Sequence, residues 1–250
     1  MSTASYPSLQ VAVSGSVATV TLDRPEVHNA FDETLIASLA AAFRDLGARV
    51  DLRAVVLRGN GPSFSAGADV NWMRSSLNWP HEQNIADATA LAHLFETINT
   101  CPLAVVGRIH GAAMGGGVGL VACCDIAIAA EDTRFAFSEV KLGLVPATIS
   151  PYVIAKIGQT HARALFVTGE RFDAARALAM GLVHRVVSAD MLDAAVAATL
   201  KQLRSSGPRA IRAAKELALT VGDMPSDAVT SMTVETIAGI RVTPEAQEGV

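Results

Sequence analysis

A chain of 250 residues, half of them hydrophobic and 18% charged, carries enough apolar material for a large buried core, which argues against intrinsic disorder. Its formal net charge of −4, with no cluster of Lys and Arg, argues against a nucleic-acid partner. No run of 18 or more residues is continuously apolar, so no membrane span is expected.

The opening MSTASYPSLQ has neither the basic nor the apolar region of a signal peptide. The three cysteines, Cys101, Cys123 and Cys124, form no CxxC and no disulfide framework. A cytoplasmic protein is therefore expected, with the thiols as small buried filler. No metal site is expected, because neither CxxC nor HxxxH occurs.

In chain order, residues 9–14 and 17–22 are β-rich and flank Gly15-Ser16, which predicts a hairpin. The polar loop DRPEVHNAFD follows. Asp32 is placed to cap a helix running to Gly47, with Leu35, Ile36, Leu39, Ala42, Phe43 and Leu46 on its apolar face. Residues 53–59 form a buried strand, NGPSFSAGAD a turn-rich loop, and Asp69 is placed to cap a short helix through Met73. A helix over 81–99 shows Ile85, Ala88, Leu91, Leu94, Phe95 and Ile98 on one face. Strands are expected at 103–109, 124–130 and 133–137, then helices near 150–157, 160–167 and 173–180 and a short strand in LVHRVV. From 189 onward the pattern is helical, interrupted by SSGP and VGDMP. Strand, glycine-bearing loop and helix alternate, which predicts an α/β architecture with a helical tail as a further layer.

The stretch HGAAMGGGVGLVACCD, His110–Asp125, places four glycines within residues 115–119. Gly117–Ala122 fits G-x-G-x-x-A, the dinucleotide-binding turn. The spacing opposes that reading: about eight residues separate the run from the next strand, and a parallel crossover needs about a dozen. Two readings remain. The glycines permit close helix packing, or they bare backbone N–H groups at a helix N-terminus to an anionic oxygen. The second reading requires another donor, and the small-residue loop Ser65–Asp69, opening onto a helix, is a candidate. No G-x-S-x-G elbow and no P-loop is present. Trp72 and Trp79 flank a polar stretch and suit core or lid packing, with the shaping of an acyl pocket or lid as the alternative reading.

The segments SFSAGADVNWM, IHGAAMGGGVGL, CDIAIAAEDTRFAFSEVKLGLVPATIS and GLVHRVV, with DRPEVHNAF before them, resemble the crotonase (enoyl-CoA hydratase/isomerase) superfamily over residues 9–249. Within it the chain looks closest to bacterial hydratases of the methylglutaconyl-CoA type. The resemblance implies a spiral of ββα units over 1–190 and a helical oligomerisation region over 191–250, assembled as a homotrimer or homohexamer. It implies an acyl-CoA thioester as partner, with CoA entering as part of the substrate and no separate cofactor.

By motif, the family's two thioester-binding amides fall on Ala68 and Gly116, and one of its two glutamates on Glu139. Ala66, Ala68, Asp69, Val70 and Asn71 resemble the segment lining the acyl-CoA, and Val27, His28 and Ala30 the loop that meets the CoA. The second family glutamate should stand three residues after Gly116, where this chain has Gly119. The chain also stops at EAQEGV, about ten residues before the usual family end. Addition of water to a 2-enoyl-CoA is the expected reaction. Double-bond isomerisation by Glu139 alone, or thioester binding without turnover, are the alternatives.

Overall fold

A computed structural model of the protein describes residues 6–249. The hairpin forms as expected from β1 (Leu9–Ser14) and β2 (Val17–Leu22), paired antiparallel. Helix α1 (Glu33–Gly47) begins at Asp32, whose side chain accepts the Leu35 N–H. An N-cap acceptor of this kind satisfies one of the orphan amides of a first turn. Then come β3 (Ala54–Gly59), α2 (Val70–Ser76) and α3 (His81–Asn99). The glycine-rich region contributes β4 (Ala104–Ile109), β5 (Ala112–Met114) and α4 (Gly116–Cys123). Strands β6 (Ile126–Ala130) and β7 (Arg134–Ala136) lead to α5 (Ser150–Thr168). The chain continues through β8 (Arg171–Asp173), α6 (Ala174–Ala179) and β9 (Arg185–Val187), then α7 (Leu192–Arg204), α8 (Pro208–Thr220), α9 (Ser226–Arg241) and α10 (Pro244–Glu248).

The main sheet has the order β1-β2-β3-β4-β6-β9, parallel throughout except for the hairpin, and a second sheet has the order β5-β7-β8. Each return from one parallel strand to the next is made by a helix or by a strand of the small sheet, which is the ββα spiral of the resemblance. Parallel strands covered on both faces require near-continuous apolar sequence, and AVVLRG and AVVGRI supply it. The large core packs α1, α3, α4 and α5 against one face. On the opposite face Leu192, Ala195 and Val196 of α7 cover Val56, Val106 and Ile128.

Some expectations need correction. Helix α2 runs past Met73 to Ser76. The helices expected at 150–157 and 160–167 form one element broken at Gly158, whose φ of 68° no helix accommodates. Asp125 lies outside β6, where its carboxylate accepts the Val105 N–H and pairs with Lys215. In α3 only the second half of the apolar face is buried: Leu94, Phe95 and Ile98 enter the core, while Ile85 is 52% exposed and Ala88 is also exposed. All three cysteines are free and buried, and burial pushes the Cys124 thiol up to about 12, which suits inert filler.

Candidate active site

Two isolated parallel bridges assemble the site. Ser65 pairs with Ala113, and Phe31 pairs with Ala68. In the first, Ser65 N–H donates to Ala112 O and Met114 N–H to Ser65 O. In the second, Phe31 N–H donates to Gly67 O and Asp69 N–H to Phe31 O. Peptide groups alternate in direction along an extended segment. The Ala68 N–H therefore points away from Phe31, and it has no protein acceptor among the described residues. The loops touch: a Cβ built on Gly67 would lie 2.6 Å from Met114 O and 3.5 Å from Gly116 N.

Gly115 caps α4 in a conformation with φ 49° and ψ −118°, open to glycine and strained for any L side chain. Its own N–H is used by Ala136 O. Gly116 is the first residue of α4, so its N–H is one of the four that a helix leaves unpaired. Ala68 and Gly116 line one cavity of about 250 Å³. Two residues with unpaired amides, from loops nearly fifty residues apart, thus border the same space, near the positive end of a helix dipole.

Glu139 opens on the same cavity. It sits in a short 3-10 turn, Ser138–Leu142, directly after β7 and closed by Gly143 in the left-handed region. Its Oε1 would lie 3.0 Å from a Cβ on Gly115, so glycine there leaves room for the carboxylate. Its Oε2 is buried with no hydrogen-bond partner among the described residues. Burial raises the carboxyl pKa above its ordinary value, with a backbone hydrogen bond working the other way. A carboxylate tuned upward is suited to exchange protons near neutral pH.

The remaining walls are largely apolar, with Ser138 and Thr148 as polar exceptions. Trp72, Met73 and Leu91 come from α2 and α3, and Leu142, Leu144 and Val145 from the segment after Glu139. Those last three are 50–70% exposed and form an apolar rim. Of these, the sequence points to Trp72 for core or lid packing, Met73 as a helix end and Leu91 on an apolar helix face. The apolar residues embedded in the turn-rich LGLVPATI were the signal for the rim.

Of the residues expected to meet the acyl-CoA, Ala66, Ala68, Val70, Gly116 and Glu139 line the cavity. The Asp69 side chain does not. Its Oδ1 caps α2 through the Asn71 N–H, and its Oδ2 lies 3.2 Å from Arg24. Asn71 is exposed and lies outside the lining. Val27, His28 and Ala30 form a neighbouring loop, with His28 exposed, its Nδ1 3.0 Å from Ser63 Oγ, and Ala30 buried.

Position 119, where the family's second glutamate belongs, is closed. A Cβ on Gly119 would lie 2.3 Å from Ile149 Cγ2 and 2.8 Å from Phe95 Cε1. Glu139 is accordingly the one carboxylate among the described lining residues. Asp69 and Asp125 are committed to ion pairs, and Glu131 is exposed on a turn.

Residues 12–248 match the enoyl-CoA hydratase/isomerase family. The fold superimposes on an enoyl-CoA hydratase crystal structure from Shewanella pealeana with a TM-score of 0.93, at 41% identity, covering 98% of this chain and 92% of that one. The chain is 34% identical over 227 residues to an enoyl-CoA hydratase of Alternaria alternata, spanning 89% of this chain and 72% of that protein. It is also 33% identical over 224 residues to the human mitochondrial Delta(3,5)-Delta(2,4)-dienoyl-CoA isomerase, spanning 84% and 68% of the two. Ala68, Gly116 and a half-buried Glu139 around one cavity of this spiral fold accord with those likenesses, and the chain belongs to the enoyl-CoA hydratase/isomerase family.

Proposed function

We propose that the protein adds water across the double bond of a 2-enoyl-CoA thioester, using a single carboxylate. The observation that carries this reading is that Ala68 and Gly116, whose amides have no protein acceptor among the described residues, line one largely apolar cavity with Glu139. The two N–H groups donate to the thioester oxygen, whose negative charge grows as an enolate forms. Glu139, ionised, accepts a proton from water as the water oxygen bonds to the β-carbon. The same carboxyl then delivers that proton to the α-carbon, the enolate collapses, and Glu139 is ionised again. The apolar walls receive the acyl chain, and the CoA runs along the loop bearing Val27, His28 and Ala30. CoA is consumed as part of the substrate, and the scheme calls on no separate cofactor.

The closed position 119 favours a second reading, isomerisation. There Glu139 removes the α-proton of a 3-enoyl-CoA and returns it at the γ-carbon, which needs one carboxylate and no bound water. Parallel incubations with a 2-enoyl-CoA and a 3-enoyl-CoA separate the two. Hydration removes the conjugated thioester absorbance and adds the mass of one water. Isomerisation creates that absorbance from the 3-enoyl substrate at constant mass. Acyl-CoA binding with neither change is the outcome for a thioester-binding protein without turnover.

We further propose assembly through the helical region of 191–250 into a trimer or hexamer. Helices α8, α9 and α10 contain no fully buried residue in the single chain, and Val234, Ile237 and Val242 are about half exposed or more. Light scattering on the purified protein tests this, and a monomer at micromolar concentration contradicts it.

A further inference from the structure

We infer that Arg24 is a positioning residue for the Ala68 amide, acting through Asp69; this rests on the thioester-polarising reading above. Arg24 does not line the cavity. Its side chain is 16% exposed, and its guanidinium joins the two segments that form the Phe31–Ala68 bridge. Toward the first segment, Nη1 donates to Ala30 O at 2.5 Å, and Nη2 lies 3.0 Å from Asp32 Oδ2. Toward the second, Nη2 lies 3.2 Å from Asp69 Oδ2, on a side chain only 9% exposed.

The Arg24 backbone N–H also donates to Asn29 Oδ1, and Asn29 in turn donates through Nδ2 to Ser63 O and Asn60 O. Ser65 Oγ donates to Asn29 O and accepts the Gly67 N–H at 3.3 Å. One cation and one buried amide side chain thus hold both sides of the loop that presents Ala68.

The physical consequence is directional. The Ala68 N–H is aimed by the peptide plane between Gly67 and Ala68, and the next residue, Asp69, is fixed three ways: by its N–H to Phe31 O, by its cap of α2, and by Arg24. Charge-assisted contacts in a partly buried site are the stiffest available. Removal of the guanidinium leaves a buried carboxylate without its counter-charge, which drives local rearrangement. A donor contributes to transition-state stabilisation only when held close to its productive position. The inferred effect therefore falls on turnover and on thioester polarisation, with acyl-CoA affinity largely retained.

The test compares Arg24→Met, Asp69→Asn and Asp32→Asn with the wild type. Both aspartate variants keep a good N-cap residue and lose only the charge. Arg24→Met and Asp69→Asn are expected to lower kcat about 10- to 100-fold, less than the 10²–10³ for outright loss of an oxyanion donor. KM is expected to change less than about threefold on the same grounds. Asp32→Asn, which meets the same guanidinium from the other segment and leaves its contact with Ala30 O in place, is expected to lower kcat less than Asp69→Asn.

The carbonyl stretch of a bound, isotopically labelled saturated acyl-CoA provides a readout independent of turnover. Wild type lowers its frequency relative to water, and Asp69→Asn gives back part of that shift. Should Arg24→Met fail to fold, Asp69→Asn carries the same comparison. Equal losses of kcat in Asp69→Asn and Asp32→Asn, or an unchanged carbonyl shift in Asp69→Asn, overturn the positioning role. No shift in the wild type overturns the thioester-polarising reading itself and the positioning role with it.

Discussion

Gly115 and Gly119 stand about one turn apart at the start of α4, and the space beside them is filled differently. Beside Gly115 lie the Glu139 carboxylate and the open cavity; beside Gly119 lie Ile149 and Phe95, in closer contact than any Cβ tolerates. The first glycine leaves room for charge and for a guest, whereas the second lets apolar side chains press onto the helix backbone. A single glycine-rich run therefore makes a polar wall and seals an apolar one. Packing closes position 119, and Glu139 is the one carboxylate among the described lining residues.

The largest expected effect lies on the polar side. Glu139→Gln should lower kcat about 10²- to 10⁴-fold, the usual range for loss of a positioned acid or base, while titration calorimetry with a saturated acyl-CoA shows affinity nearly unchanged. Retained turnover would remove Glu139 from the chemistry. Gly115→Ala should follow, at about 10²-fold in kcat, comparable to loss of one oxyanion donor. It imposes a side chain at φ 49° and a Cβ 3.0 Å from Glu139 Oε1.

On the apolar side the effect is on stability. Gly119→Glu cannot simply restore a second carboxylate, since Ile149 and Phe95 occupy its path. It should cost at least about 1–3 kcal/mol from overpacking, read by denaturant unfolding. The paired change Gly119→Glu with Ile149→Ala should recover much of that loss. A hydration rate that rises in the double variant would sharpen the contrast between the two glycine positions.

The smallest effect is a pH dependence of stability. Because burial raises the Glu139 pKa in the folded state, the folded protein holds this proton more tightly than the unfolded chain. Stability from this group is complete below the unfolded pKa and declines as pH rises through the folded one. Glu139→Gln, which stays neutral, should therefore raise Tm relative to wild type more at pH 7 than at pH 4. For turnover the sign reverses, since the base must be ionised: kcat should fall with acid through a pKa above the ordinary glutamate value of about 4.3.

Much of this was legible in the sequence because it is local. Asp32 and Asp69 cap the helices they precede, the hairpin turns at Gly15-Ser16, and the apolar strands are parallel and buried. Ala68 and Gly116 are singled out by motif likeness, and the bridges explain how these two residues come to border one cavity. Those bridges join residues 31 to 68 and 65 to 113, pairings that no local pattern encodes. Ile149 closes position 119 from thirty residues away, and strands β5 and β8 are three residues each, too short for a periodic signal. The α3 periodicity gave a helix with one apolar face, but only tertiary packing decides that Ile85 is left exposed while Leu94 is covered. The likeness puts Asp69 in the segment expected to line the acyl-CoA, whereas its carboxylate turns to Arg24, 45 residues earlier, a pairing that no local pattern encodes.

The measurement that bears most directly on the central claim is a structure of the protein with an acyl-CoA bound. The account predicts one thioester oxygen at about 2.7–3.1 Å from both the Ala68 and the Gly116 nitrogens, with the α- and β-carbons facing Glu139. A thioester oxygen that meets only one of those amides, or is turned away from both, would contradict it.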